Sequence, residues 1–196
     1  MQLLVSLTSP YARKLRMLAL ELELDVEVVE TPPMEDGPAL HAANPLGKVP
    51  VLLLDDGTAL YDSAVISGYM LSLVPGQTLQ PTQGLAYWYA RTDEALADGV
   101  LDASYLLRLE ASHGEAGRNP LWPERYRRTI ARGAAALAAK VSATETGYLE
   151  LCTMVAVEYL DLRFPEIDWR GANPALAALH ARLKDRASLV ATRPPA

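Results

Sequence analysis

Asn44-Pro45-Leu46-Gly47-Lys48-Val49-Pro50-Val51 runs straight into Leu52-Leu53-Leu54. Two prolines and a glycine impose a turn, after which an apolar run opens as a strand with no polar spacer. Pro50 stands at the mouth of that strand. It cannot donate to a sheet ladder, so the backbone groups beside it are left for another partner. A cis Val49–Pro50 bond would turn the N–H and C=O of Val49 sideways into a cleft. About 5–6% of X-Pro bonds in folded proteins are cis, so the dipeptide by itself does not decide the isomer.

Upstream, Leu3 to Leu7 reads as a strand running into Thr8-Ser9-Pro10. Ser9 is placed as a helix N-cap and Pro10 as the first helical residue. Leu15, Leu18 and Leu22 give that helix a buried stripe. Asp25 breaks it, and Val26 to Val29 is a second strand, so the opening is β-α-β with a right-handed crossover. Thr31 to Ala43 is irregular, with one helical turn near His41. Downstream, Val51–Leu54 and Ala59–Tyr61 flank the turn Asp55-Asp56-Gly57-Thr58 and form a hairpin. Asp62-Ser63 caps a helix over Ala64–Leu73.

Residues 1–75 therefore form one α/β domain of βαβ-ββα order, and residues 76–82, rich in Pro and Gly, form a linker. Residues 83–196 show only helical periodicity, which predicts an all-α domain. Its helices run from Thr82 to about Ser112 with a bend near Gly99, from Pro123 to Val141, from Gly147 to Arg163, and from an Asn173-Pro174 cap to about Arg186. The tail from Thr192 is expected to fray.

Of 196 residues, 50% are hydrophobic and 21% charged, with net charge −6, a balance typical of soluble globular chains. No basic block gathers the arginines, which argues against nucleic acid and anionic membranes as partners. No apolar run approaches the ~20 residues that span a bilayer, and the first residues lack a signal-peptide pattern. The chain has one cysteine, Cys152, so it forms no internal disulfide and supplies no thiolate cluster for a metal. These features predict a cytoplasmic protein.

Three features fall at strand-end edges of the predicted sheet, where open α/β sheets bind ligands: Ser9, the Lys48-Val49-Pro50 turn, and Asp62-Ser63. Singly, each has a plain reading, as a helix cap or a solvated turn lysine. Cys152 lies in an apolar helical run and reads as a small core residue. His41, His113 and His180 are scattered and read as solvent or cap residues.

Ser9-Pro10-Tyr11-x-Arg13-Lys14, then Asn44 to Leu52, then Tyr61-Asp62-Ser63-x-x-Ile66 together resemble the cytosolic glutathione S-transferase family. Glu94 to Ala103 and Tyr159 to Arg170 extend the resemblance through the helical half, and within the family the whole chain resembles the bacterial YibF-like group. The resemblance implies a thioredoxin-like glutathione-binding domain followed by a helical bundle. It implies that Val49, before a cis Pro50, pairs its backbone with the cysteinyl part of glutathione. Asp62 and Ser63 would hold the γ-glutamyl group, and Lys48 would face the glycyl carboxylate. Ser9 would donate its hydroxyl to the sulfur, with Thr8 as understudy, and Tyr11 and Tyr105 would wall an electrophile pocket.

Serine suffices for that role. Lowering a thiol pKa from about 8.5 to about 6.5 takes roughly 2.7 kcal/mol. A hydrogen bond to a charged group supplies about 1.5–3 kcal/mol, and a helix N-terminus about 0.3–1, up to ~2 when partly buried. Redox members of the family carry a cysteine where Ser9 stands, so thioltransferase chemistry through an enzyme mixed disulfide is not expected.

The resemblance further implies a homodimer, with Leu60 and Tyr61 as one part of its surface, and a transferase acting on a small electrophile or a peroxide in detoxification. Glutathione would be the co-substrate, with no metal. The alternative is a non-catalytic interaction protein on the same fold, the route taken by the bacterial stringent-starvation proteins that act on RNA polymerase. An isomerase of the zeta class would need a Ser-Ser-Cys segment near residue 9, which is absent. One departure from the family pattern lies in the second domain. Members open the helix at position 147 with Ser or Thr and place Asp three residues on, a capping box. Here the pair is Gly147 and Glu150, expected to cost only a few tenths of a kcal/mol.

Overall fold

The computed structural model describes residues 1–35, 37–112, 119 and 121–195. His113 lies outside them. The chain divides into two compact units, Met1–Thr78 with Asp185–Ala196, and Leu79–Lys184.

The first unit is built on a four-stranded sheet of order β2-β1-β3-β4. The strands are β1 (Gln2–Val5), β2 (Glu27–Glu30), β3 (Val51–Leu53) and β4 (Ala59–Leu60). β1 and β2 run parallel, joined by helix α1 (Pro10–Glu21), whereas β3 is antiparallel to both β1 and β4. The hairpin turn follows its chemistry: Asp56 Oδ1 accepts the Thr58 N–H at 2.8 Å, and Gly57 takes φ +84°.

Leu3, Leu4 and Val5 are all buried, so β1 is covered on both faces. Leu4 and Val51 pack with Leu40 of the short helix α2 (Pro38–Ala43) on one face. Leu3, Val5 and Leu52 alternate to the other, the side of α1 and of helix α3 (Ser63–Ser72).

α1 buries the expected Leu15, Leu18 and Leu22, and also Ala12, Arg13, Lys14 and Met17. That is wider than one amphipathic stripe because a second helix, α9 (Ala187–Ala191), packs on it. The C-terminal segment thus departs from the expected frayed tail. Thr192 is buried, and its hydroxyl donates to the Ser188 carbonyl at 2.8 Å.

The second unit contains only helices among its described residues: α4 (Gly84–Ser112), α5 (Leu121–Ala138), α6 (Tyr148–Arg163), α7 (Trp169–Ala172) and α8 (Pro174–Leu183). α4 passes through Gly99 as a single element. α6 is the core helix, with every residue from Leu151 to Val157 buried. α5 approaches α4 closely where Gly133 meets Val100: a Cβ there would lie 2.5 Å from Val100 Cγ2. At the start of α6, the Glu150 carboxylate accepts the N–H groups of Gly147 and Ser142, each at 2.8 Å. The glutamate half of the capping box is therefore present, and glycine has no side chain to supply the other half.

The last predicted helix corresponds to α8, which ends at Leu183; the single turn of α7 before it and α9 after it lie outside the predicted helices. Asn173 does not cap α8 with its side chain. Its Nδ2 donates back to the Trp169 carbonyl at 3.0 Å. No described helix is long and apolar enough to cross a membrane.

Candidate functional site

Strand register carries the predicted site residues to one edge of the sheet. Leu4 pairs with Val51 and Leu52 with Leu60. One step further in each register, Val5 stands level with Pro50, and Asp62 follows two residues after Leu60. The segments leading to Ser9, Val49 and Asp62 therefore leave the sheet side by side, and α1 and α3 both begin at that edge. Two helix N-termini bring positive potential there, the arrangement that favours an anion.

Ser9 is the N-cap of α1, with extended backbone, and its Oγ accepts the Ala12 N–H at 3.3 Å. The cap uses a lone pair of that oxygen and leaves the hydroxyl proton available to donate. Capping and thiol activation are thus compatible roles for one serine. Ser9 is half-buried, whereas Thr8 is exposed and its hydroxyl lies 3.3 Å from that of Ser6.

The Val49–Pro50 bond is cis. Pro50 is buried, Val49 is half-buried and packs against the Leu4–Leu40–Val51 cluster. Among the described residues, neither the N–H nor the carbonyl of Val49 has a hydrogen-bond partner. An extended peptide can pair with it as an added strand does.

Asn44 braces this turn, a role its sequence position signalled and our reading missed. Its side chain is buried, accepts the Leu46 N–H at 3.0 Å and donates to the Lys48 carbonyl at 2.9 Å. Asn before Pro is an Asx-turn signal. Gly47 completes the turn at φ +61°, with the His41 ring 3.2 Å from where its Cβ would be. Lys48 is exposed, and its ammonium has no ion-pair partner among the described residues.

Asp62 is the N-cap of α3. Its Oδ1 accepts the Ala64 N–H at 3.1 Å, and Oδ2 has no partner among the described residues. Ser63 follows at the first helical position. It is only 5% exposed, and its hydroxyl makes no hydrogen bond among the described residues. A carboxylate and a free hydroxyl beside a helix N-terminus can together hold an ammonium and a carboxylate of one amino acid.

Tyr11 is the second residue of α1, half-buried, while Tyr105 is an exposed residue of α4 in the other unit. Cys152 is buried in α6. His41 is exposed, but His180 is no solvent residue: its ring packs edge-on to Trp169 at 5.7 Å, and Nε2 lies 3.6 Å from Glu158.

A fold and a site of this kind define a class. Residues 3–78 match the model of the glutathione S-transferase N-terminal domain. The chain is 32% identical over 200 residues to the GST-like protein YibF of Escherichia coli (strain K12), covering 100% of this chain and 99% of that one. A glutathione S-transferase of Methylobacterium radiotolerans JCM 2831, solved with glutathione sulfonate, gives a TM-score of 0.91 at 35% identity, over 100% of this chain and 95% of that one. A glutathione transferase family member of Pseudomonas fluorescens Pf-5, solved with bound glutathione, gives 0.90 at 36% identity, over 100% and 99%. The chain belongs to the glutathione S-transferase family.

Proposed function

We propose that the protein binds glutathione and ionises its thiol for attack on a small electrophile or a peroxide. The observation that carries this reading is the unpartnered backbone of Val49 before a cis proline, at the edge where α1 and α3 begin. Relatives solved with glutathione or its sulfonate at 35–36% identity support it.

In this reading Val49 pairs with the cysteinyl residue of glutathione and so places the sulfur beside the N-terminus of α1. Ser9 donates its hydroxyl proton to the sulfur while its oxygen remains on the Ala12 N–H. That donation and the helix N-terminus favour the thiolate, whose proton passes to solvent. Asp62 takes the γ-glutamyl ammonium, Ser63 takes the adjoining carboxylate, and Lys48 faces the glycyl carboxylate. Tyr11, in the first turn of α1, belongs to the wall against the electrophile. Held this way, the thiolate gains from position as well as from ionisation.

The working form is a homodimer in the cytoplasm, and the role is detoxification of reactive small molecules. A face of α4 supports the dimer: Leu85, Trp88 and Tyr89 are each more than 60% exposed at three- and four-residue spacing. Leu60 and Tyr61 would contribute their half-buried surface.

Calorimetric titration of glutathione into the wild type, Ser9→Ala and Asp62→Ala tests the assignment. Micromolar-to-millimolar binding that Asp62→Ala abolishes and Ser9→Ala retains is the expected result. No binding at millimolar glutathione would turn the search toward protein partners.

A further inference from the structure

α9 spans five residues, far fewer than the roughly 12–15 at which an isolated helix persists in water. Its order comes from what it rests on. At its N-terminal end, the two oxygens of Glu21 take Arg186 Nε at 2.6 Å and Nη2 at 2.5 Å, and the first also takes the Ser188 hydroxyl. At its C-terminal end, Arg13 Nη2 donates to the Leu189 carbonyl at 3.2 Å, and Arg16 Nη1 to the Thr192 carbonyl at 3.5 Å. An anion at the start and cations at the end complement the dipole of α9. Arg13 is 3% exposed, the Glu21 side chain 9% and Leu189 is fully buried, while the Arg186 side chain keeps 37% exposure.

Arg13 also belongs to the first turn of α1. Its backbone N–H donates to the Ser9 carbonyl at 2.9 Å, next to the Ala12 N–H that the Ser9 hydroxyl oxygen accepts. One residue thus holds the C-terminal segment with its side chain and the cap serine with its backbone.

We propose that residues 185–192 are a strap that fixes the capping turn of α1, anchored by Glu21 and Arg186, with Arg13 as the positioning residue that passes this restraint to Ser9. The consequence for the thiol rests on the Ser9 reading above, and the consequence for the turn does not. Loosening the turn swings the serine hydroxyl and disperses the helix N-terminal field, so the bound thiol loses both supports. Val49, Asp62 and Ser63 stand on other elements, so the grip on the rest of glutathione is left in place.

The test uses the full chain and the variants Arg186→Gln, Arg186→Lys, Glu21→Gln and Arg13→Lys, each checked for a native circular-dichroism spectrum. Amide hydrogen exchange at Ala12 and Arg13 reads the turn, ultraviolet titration of the bound thiolate reads the chemistry, and S-methylglutathione binding reads affinity. Arg186→Gln and Glu21→Gln are expected to speed exchange at Ala12 and Arg13 about tenfold or more, with Leu4 unchanged. They should also raise the bound thiol pKa by about one pH unit, while S-methylglutathione binding stays within about twofold. Arg186→Lys, which keeps the charge, should recover most of the effect, and Arg13→Lys should behave like Glu21→Gln.

Unchanged exchange at Ala12 and Arg13 in a folded Arg186→Gln or Glu21→Gln protein overturns the strap. Where the wild type lowers the thiol pKa, faster exchange with an unmoved thiol titration overturns the positioning role of Arg13. A wild type that does not lower the thiol pKa at all, yet whose variants exchange faster, keeps the strap and rejects the Ser9 reading instead.

Discussion

The carbonyl oxygen of Leu79 occupies the space that a side chain at position 147 would need. A Cβ built on Gly147 would lie 2.9 Å from it, and the same oxygen accepts the Tyr148 N–H at 2.8 Å. The glycine that departs from the family's Ser or Thr is therefore matched to its neighbour. Gly147→Ser gains a few tenths of a kcal/mol as a cap but must displace a hydrogen-bonded backbone group. We expect a net loss of about 1–3 kcal/mol, read as a lower urea midpoint with unchanged slope. A more stable serine variant would show that the Leu79 segment yields.

If Asp62 holds the ligand as well as capping α3, substitution can separate the two roles. Asn caps as well as Asp, so Asp62→Asn should stay within ~0.5 kcal/mol of wild-type stability. Without the charge it should lose about 1.5–3 kcal/mol of glutathione binding. Asp62→Ala should lose the binding and, in addition, about 1 kcal/mol of stability. Titration calorimetry beside urea unfolding makes the comparison, and wild-type affinity in Asp62→Asn would remove the carboxylate from the ligand site.

Glu21 and His180 both contribute to the acid side of stability. For Glu21, burial pushes the carboxyl up, but the hydrogen bonds from Arg186 and Ser188 outweigh it and hold the carboxyl below its ordinary 4.5. For His180, burial and then the nearby Arg170 hold the imidazole below its ordinary 6.5, against the pull of Glu158. In both cases the unfolded chain protonates first as pH falls, so the contribution is complete above the ordinary value and is lost below it. The melting temperature should therefore decline from about pH 6.5 through His180 and again below about 4.5 through Glu21. His180→Gln should flatten the first decline, and Glu21→Gln the second. A profile that His180→Gln leaves unaltered would assign the first decline elsewhere.

If the α4 face seals a pair of subunits, removing its aromatics should part them. Trp88→Ala with Tyr89→Ala should sediment as a monomer at concentrations where the wild type is a dimer, with little change in the helical spectrum. A wild-type monomer, or a dimer in the doubly substituted protein, would place the interface elsewhere or remove it.

Residues 1–78 were legible because prolines, glycines and caps punctuate them. Ser9-Pro10, Asp55 to Thr58 and Asp62-Ser63 each mark a boundary by local chemistry, and the structure places elements within a few residues of each mark. α7 and α9 were not legible, because helices of four and five residues carry too few positions for a period to show. α9 depends on Glu21, 165 residues before Arg186, and no local window contains that pair. The same gap hid the Leu79 carbonyl behind Gly147, which local reasoning priced as a cap alone. Asn44 is a different case, since its Asx-turn signal was visible but only the structure shows that the same amide also reaches Lys48.

That amide has a consequence for how a ligand is met. Because Asn44 ties Leu46 to Lys48 within the folded chain, the backbone that Val49 presents is already ordered before anything binds. Fixing three loop residues on arrival would cost roughly 3–6 kcal/mol, set against the ~8 kcal/mol of a micromolar affinity. In the proposed reading, a chain lacking the Asn44 amide would meet part of that cost at each encounter. Its affinity would fall through entropy, although no atom that touches the ligand had changed.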